Sequence, residues 1–214
     1  MKICTLCPRM CAVDRKSGER GICGQTTEIK VARAALHFWE EPCISGEMGS
    51  GAVFFSGCAL HCVFCQNENI ANGTAGKVIS TERLGKIFLE LQEKGANNIN
   101  LVTPGQFVPQ IIKAVELARN QNLKIPIVYN TSSYENVDTI RSLEGIVDIY
   151  LPDFKYYSPE LAARYSHAPD YPAVAKAVIA EMVRQTGAAV FENGEDSLMK
   201  RGTIVRHLIL PGCT

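Results

Sequence analysis

From residue 51 onward, short and nearly continuous apolar runs alternate with amphipathic stretches. The runs are GAVFFSG (51–57), NINLVTP (98–104), IPIVYNT (125–131), IVDIYLPDF (146–154) and TIVRHLILPG (203–212). A strand covered on both faces reads this way, because neither face needs polar residues. Between the runs the apolar spacing lengthens to that of a helix. Ser80 is placed to cap a helix with Leu84, Ile87, Phe88 and Leu91 on one side, stopped by Gly95. Val108, Ile111, Ile112 and Val115 mark a second helix, with Pro109 tolerable in its first turn. Ser158-Pro159 opens a third, and Val174, Ala177, Val178 and Met182 mark another that ends near Gly187. Alternating strands and helices predict an α/β fold with a parallel sheet and right-handed crossovers. Five such strands are too few for the eight-stranded barrel, which takes roughly 250 residues. The expected architecture is a partial, open parallel β/α barrel. Because the 214-residue chain stops directly after the fifth apolar run, it is expected to be C-terminally incomplete.

Residues 1–48 follow a different rule. The first two dozen are rich in Cys, Gly and Arg with little apolar periodicity, too few to hold a core without a staple. One apolar stretch at 29–39 and a Gly/Ser/Pro-rich link follow. The expected division is a small Cys-rich N-terminal lobe (1–48) and the barrel (49–214). Lys+Arg and Asp+Glu both number 22, so the net charge is zero, which argues against a nucleic-acid partner. The start, MKICTLCPRMC, has no apolar signal region, and no run approaches the roughly 20 residues that cross a bilayer. A cytoplasmic protein without membrane attachment is expected. There the nine cysteines, an odd number, point to metal or redox chemistry rather than to a disulfide framework.

Three of those cysteines, Cys58, Cys62 and Cys65, follow the first apolar run. Ligands of α/β folds bind beyond the carboxyl ends of the strands. A C-x3-C-x2-C spacing lets three thiolates take three corners of an iron–sulfur cube and leaves the fourth iron open. The competing reading is structural zinc completed by His61 or Cys43. Cys4, Cys7, Cys11 and Cys23 form a second set whose four thiolates suit tetrahedral zinc or a second cluster. A Cys-x2-Cys redox pair is the alternative there. Cys43 and Cys213 have no partner at ligand spacing and read as lone thiols.

The C-x3-C-x-aromatic-C motif, with Phe64 in the aromatic place, resembles the radical S-adenosylmethionine (SAM) superfamily. LPDFK (Asp153, Lys155), Arg206 with Pro211-Gly212, Asn130-Thr131 and the early C-x2-C-P-R-x-C resemble the pyruvate formate-lyase activating enzyme branch. The resemblance implies a 4Fe–4S cluster on Cys58, Cys62 and Cys65, and SAM chelated to its open iron. It implies reductive cleavage of SAM to a 5′-deoxyadenosyl radical that abstracts a hydrogen atom. The substrate would be a glycine of a glycyl-radical-type partner protein or a small molecule, and the electron donor a flavodoxin or ferredoxin. Phe64, Thr103, Asn130, Asp153, Lys155 and Arg206 become the cofactor-binding candidates, with Lys155 and Arg206 facing the SAM carboxylate. Where that family often carries G-G-E, this chain has Thr103-Pro104-Gly105-Gln106, so Thr103 takes the ammonium position. His61 reads as a neighbour of the cluster, His207 as a core histidine, and Trp39, Tyr156 and Tyr157 as packing. A non-catalytic metal-binding module, or an inactive fragment of such an enzyme, is the reading from another class.

Overall fold

The computed structural model describes residues 3–192 and 197–212. In chain order the strands are β1 (Ile29–His37), β2 (Ser50–Phe55), β3 (Lys77–Ile79), β4 (Ile99–Val102), β5 (Ile127–Thr131), β6 (Ile149–Phe154), β7 (Val190–Phe191), β8 (Met199–Thr203) and β9 (Arg206–His207). The helices are α1 (Pro42–Ser45), α2 (Glu68–Ala71), α3 (Thr81–Glu93), α4 (Val108–Arg119), α5 (Val137–Arg141), α6 (Pro159–Ser166) and α7 (Tyr171–Thr186).

Five adjacent strands, β2, β4, β5, β6 and β8, run parallel, as expected for a partial β/α barrel. Their outer face packs on α3, α4 and α7 in the main core, where Val53, Leu101, Ile127, Tyr129 and Tyr150 meet Leu84, Phe88, Ile111 and Met182. A smaller inner core of Ile44, Val128, Ile149, Leu151 and Met199 fills the opposite face. Burial on both sides is why these strands carry no polar alternation. The expected starts hold: the Ser80 hydroxyl accepts the Arg83 N–H at 3.1 Å, and Ser158 accepts Leu161 N–H at 3.2 Å. Pro109 sits in the first turn of α4, and Gly187 ends α7 at φ 65°.

Two features of the sheet depart from the apolar pattern. β1 and β3 extend it antiparallel beyond β2, so part of the N-terminal segment is sheet. The fifth parallel strand is Met199–Thr203, not 203–212. Within the apolar run at 203–212 Thr203 closes β8 opposite Tyr150 and Arg206–His207 pair with Asp153 and Phe154, while Val205, Leu208 and Ile209 are 48%, 38% and 68% exposed. Among the described residues only the two-residue β7 lies beyond β8; Ile204 and Leu210 pack against buried clusters, while Val205, Leu208 and Ile209 stay at the surface. His207 is exposed as a result and is not a core histidine; its ring meets the Phe154 carbonyl.

Candidate metal and cofactor site

The loop after β2 carries the three thiols to the carboxyl end of the sheet. Its root is a tight turn. Gly57 sits at φ 89°, a left-handed conformation that favours glycine. The Gln106 side chain, buried in the turn after β4, donates to the carbonyls of Ser56 (2.9 Å), Gly57 (3.0 Å) and Thr103 (2.9 Å). That single amide ties the cysteine loop to the neighbouring strand end. The sequence showed Gln106 only as a departure from G-G-E, and nothing local marked it as a clamp.

Burial pushes the Cys58 thiol up, the N–H groups of His61 and Leu60 pull it back, and Cys62 and Cys65 lie close enough to add their charge. Cys62 Sγ accepts a hydrogen bond from Ser166 Oγ at 3.1 Å, and Ser166 in turn bonds Tyr156 at 2.7 Å. Hydrogen bonds of this kind stabilise thiolate over thiol. Cys58, Cys62 and Cys65 open together into a cavity of about 610 Å³ that also exposes Phe64, Thr103, Asn130, Asp153, Lys155 and Arg206. The structure thus brings every candidate of the first cofactor set to one hollow. The three donors and the room beside them fit a cluster with one iron left for a small molecule.

The opposite wall is a network of ion pairs. Phe54, Val102 and Asn130 stand in register across β2, β4 and β5 and face the cavity. On β6 and just after it, Asp153 takes Lys155 Nζ at 2.6 Å on one oxygen and Arg206 Nε at 2.9 Å on the other. Arg206 also donates to Asn130 Oδ1 at 2.7 Å and lies 3.6 Å and 3.7 Å from Glu40 and Glu41. Burial raises the Glu40 carboxyl above its ordinary value and Arg206 opposes that shift. Two cations therefore face three carboxylates. Arg206 is largely committed to holding the wall together. Lys155, with three donors and one given to Asp153, is the better placed of the two for an incoming carboxylate.

The remaining candidates separate cleanly. Thr103 lines the cavity at φ 54°, and its carbonyl accepts Gln106, which leaves that oxygen a second lone pair. Phe64 packs edge-on against Tyr156 and Tyr165, at 6.3 and 6.2 Å between ring centres. Tyr156 is buried packing, but Trp39 is 89% exposed at the cavity and Tyr157 is 73% exposed beneath Lys176, so neither is a core residue. An aromatic in an irregular link offers no periodicity from which to read its burial. Arg33, His37 and Glu40 also line the cavity; they come from β1 and its exit, where no motif flagged them.

The N-terminal set also converges. Cys7 lies within electrostatic reach of Cys23, Cys11 and Cys4. Cys43 stays half-buried beside the inner core, and Cys213 lies outside the described residues. Among the described residues no helix is long and apolar enough to cross a membrane.

Residues 52–187 match the radical SAM superfamily. That span contains the three-thiol loop, four of the five parallel strands and the Asp153–Lys155 pair. The chain is also similar to the uncharacterized protein MJ0674 of Methanocaldococcus jannaschii, 28% identical over 217 residues that cover 98% of this chain and 57% of that protein. The chain spans little more than half the length of that curated relative.

Proposed function

Because the chain belongs to the radical SAM superfamily, we propose that it uses a 4Fe–4S cluster on Cys58, Cys62 and Cys65 to cleave SAM reductively and abstract a hydrogen atom. The observation that carries this reading is the shared cavity: three thiols with an open side face the Asp153–Lys155–Arg206 network across one hollow. When bound, the cluster and SAM supply the one-electron cleavage and the hydrogen-abstracting radical. The protein's part is to bind, orient and exclude water. Lys155 offers its spare N–H donors to the amino-acid carboxylate, and Asp153 holds that ammonium in place. The free carbonyl lone pair of Thr103 and the Glu40 carboxyl are the acceptors for the SAM ammonium. Phe64 and the Asn130 amide flank the nucleoside. Ser166 donates to the Cys62 sulfur, and the Leu60 and His61 N–H groups point at the Cys58 sulfur.

The finer reading is hydrogen abstraction from a glycine of a partner protein. It rests on the resemblance of the LPDFK and Arg206 segments to glycyl-radical activating enzymes. A low-potential electron donor of the flavodoxin or ferredoxin class and a reducing cytoplasm complete it.

The test is anaerobic reconstitution with iron and sulfide, followed by SAM and dithionite. Formation of 5′-deoxyadenosine that disappears in Cys58→Ala is expected, and its persistence in that variant would sink the assignment. A peptide carrying Cα-deuterated glycine separates the finer claim. Deuterium in the 5′-deoxyadenosine supports a glycyl substrate. Unlabelled product with intact SAM cleavage removes it and leaves the superfamily chemistry standing.

A further inference from the structure

Four thiols lie outside the span that matches the superfamily, and the reaction proposed above does not use them. Cys4, Cys7, Cys11 and Cys23 come from loops with no strand or α-helix of their own. Folding nonetheless draws them together: Cys7 lies within electrostatic reach of Cys23, Cys11 and Cys4, and Cys23 within reach of Cys4 and Cys11. The backbone wraps around them at a cost. Met10 and Ala12 flank Cys11 at φ 43° and 56°, and neither is glycine. Cys11 is pressed so close to Gly21 that a Cβ there would lie 2.7 Å from its sulfur.

Each sulfur has a donor aimed at it. Ile22 N–H points to Cys11 Sγ at 3.3 Å, Arg15 Nη1 to Cys4 Sγ at 4.0 Å, Arg9 N–H to Cys7 and Gln25 N–H to Cys23. A neutral thiol has little use for such donors, whereas a metal-bound thiolate is stabilised by them. Structural zinc usually takes its ligands as two separated pairs. Here three cysteines fall close together as C-x2-C-x3-C with the fourth alone at Cys23, a spacing that suits a cube whose thiolates bind different irons.

We propose that Cys4, Cys7, Cys11 and Cys23 ligate a second 4Fe–4S cluster, closed by four protein thiolates and seated directly beside the SAM-side site. The seating is tight. The Cys23 carbonyl oxygen lies 2.4 Å from where a Cβ on Gly57 would stand, and Gly57 precedes Cys58. His61 Nε2, inside the catalytic loop, meets the Ile22 carbonyl at 2.8 Å. Arg9, between Cys7 and Cys11, donates to the carbonyls of Ala59 (2.9 Å), Ser166 (2.9 Å) and His167 (2.6 Å). Ser166 is the residue that bonds Cys62. The two thiol sets thus share one hydrogen-bonded seam.

The test uses the full chain and does not depend on SAM chemistry. After anaerobic reconstitution the wild type is expected to carry about eight iron and eight sulfide, two cubes of four. The Cys58→Ala/Cys62→Ala/Cys65→Ala variant is expected to keep about four of each and to give an EPR signal on reduction. The Cys4→Ser/Cys7→Ser variant is expected to halve the wild-type count. A wild-type count of about four iron that Cys4→Ser/Cys7→Ser leaves unchanged, or one zinc per chain in the triple variant, overturns the proposal. The wild-type count needs no variant to fold.

Discussion

The two thiol sets put the same residue type to work in opposite surroundings. Cys58, Cys62 and Cys65 hang from the end of a parallel strand over a hollow of about 610 Å³, facing a wall of ion pairs. Cys4, Cys7, Cys11 and Cys23 are wrapped by their own loop, with a donor at each sulfur and Gly21 pressed against Cys11. The first arrangement leaves a side open for a substrate; the second closes on whatever it holds. The difference lies in what stands behind the loop. A sheet end fixes the triad from outside and leaves its mouth free, whereas a lobe without its own core must close on its ligand to be stable.

The sharpest break in the comparison is expected from Cys58→Ala. It should abolish 5′-deoxyadenosine formation while iron remains at the N-terminal set, measured by product chromatography beside metal analysis. Next comes the seam between the two sets. Gly57→Ala places a side chain at φ 89° and 2.4 Å from the Cys23 carbonyl. A loss of at least about 3 kcal/mol is expected from strain and clash together, read by urea unfolding, and iron content should fall at both sites. A wild-type-like unfolding midpoint would show that the two sets are not packed as described.

Arg9→Ala is expected to cost about 2–3 kcal/mol, because three strongly held carbonyls lose a charged donor. Arg9→Lys should recover little of it, since an ammonium cannot reach Ala59, Ser166 and His167 from one planar fork. Full recovery in the lysine variant would reduce the seam to simple charge.

The smallest effect belongs to a control remote from both sets. On α7, Arg184 first and Gln185 second hold the Glu181 carboxyl from 4.5 down to about 2. The folded state favours the charged form, so its stabilisation is complete above the unfolded value and lost as the pH falls from about 4.5 through 2. Glu181→Gln should flatten that acid limb in urea titrations at pH 3 and 6 while leaving iron content unchanged. An unaltered limb would mean that other carboxylates govern it.

Much of this was legible in the chain. Apolar runs buried on both faces gave the parallel strands β2, β4, β5 and β6, and Ser80, Ser158 and Gly187 set helix ends to within a residue or two. The three-cysteine spacing pointed to the cavity before any geometry was known, since its position after a strand fixes which end of the sheet it occupies. The last parallel strand was not legible, because Met199–Thr203 sits near the sheet margin and carries little apolar signal, while Val205, Leu208 and Ile209 after it stay exposed. Gln106, Glu40 and Arg9 escaped notice for another reason. Each acts through partners 49 to 166 positions away, and no local pattern encodes a contact across that distance.

Sequence by itself determined the period of the core, the type of the candidate metal donors and their spacing within each loop, because those depend on neighbours along the chain. Only the tertiary structure decided that two cysteine sets would lie side by side, that Asp153 would gather both cations, and that one glutamine would clamp the loop. Those are meetings between segments, and they follow from how the strands order themselves in the sheet.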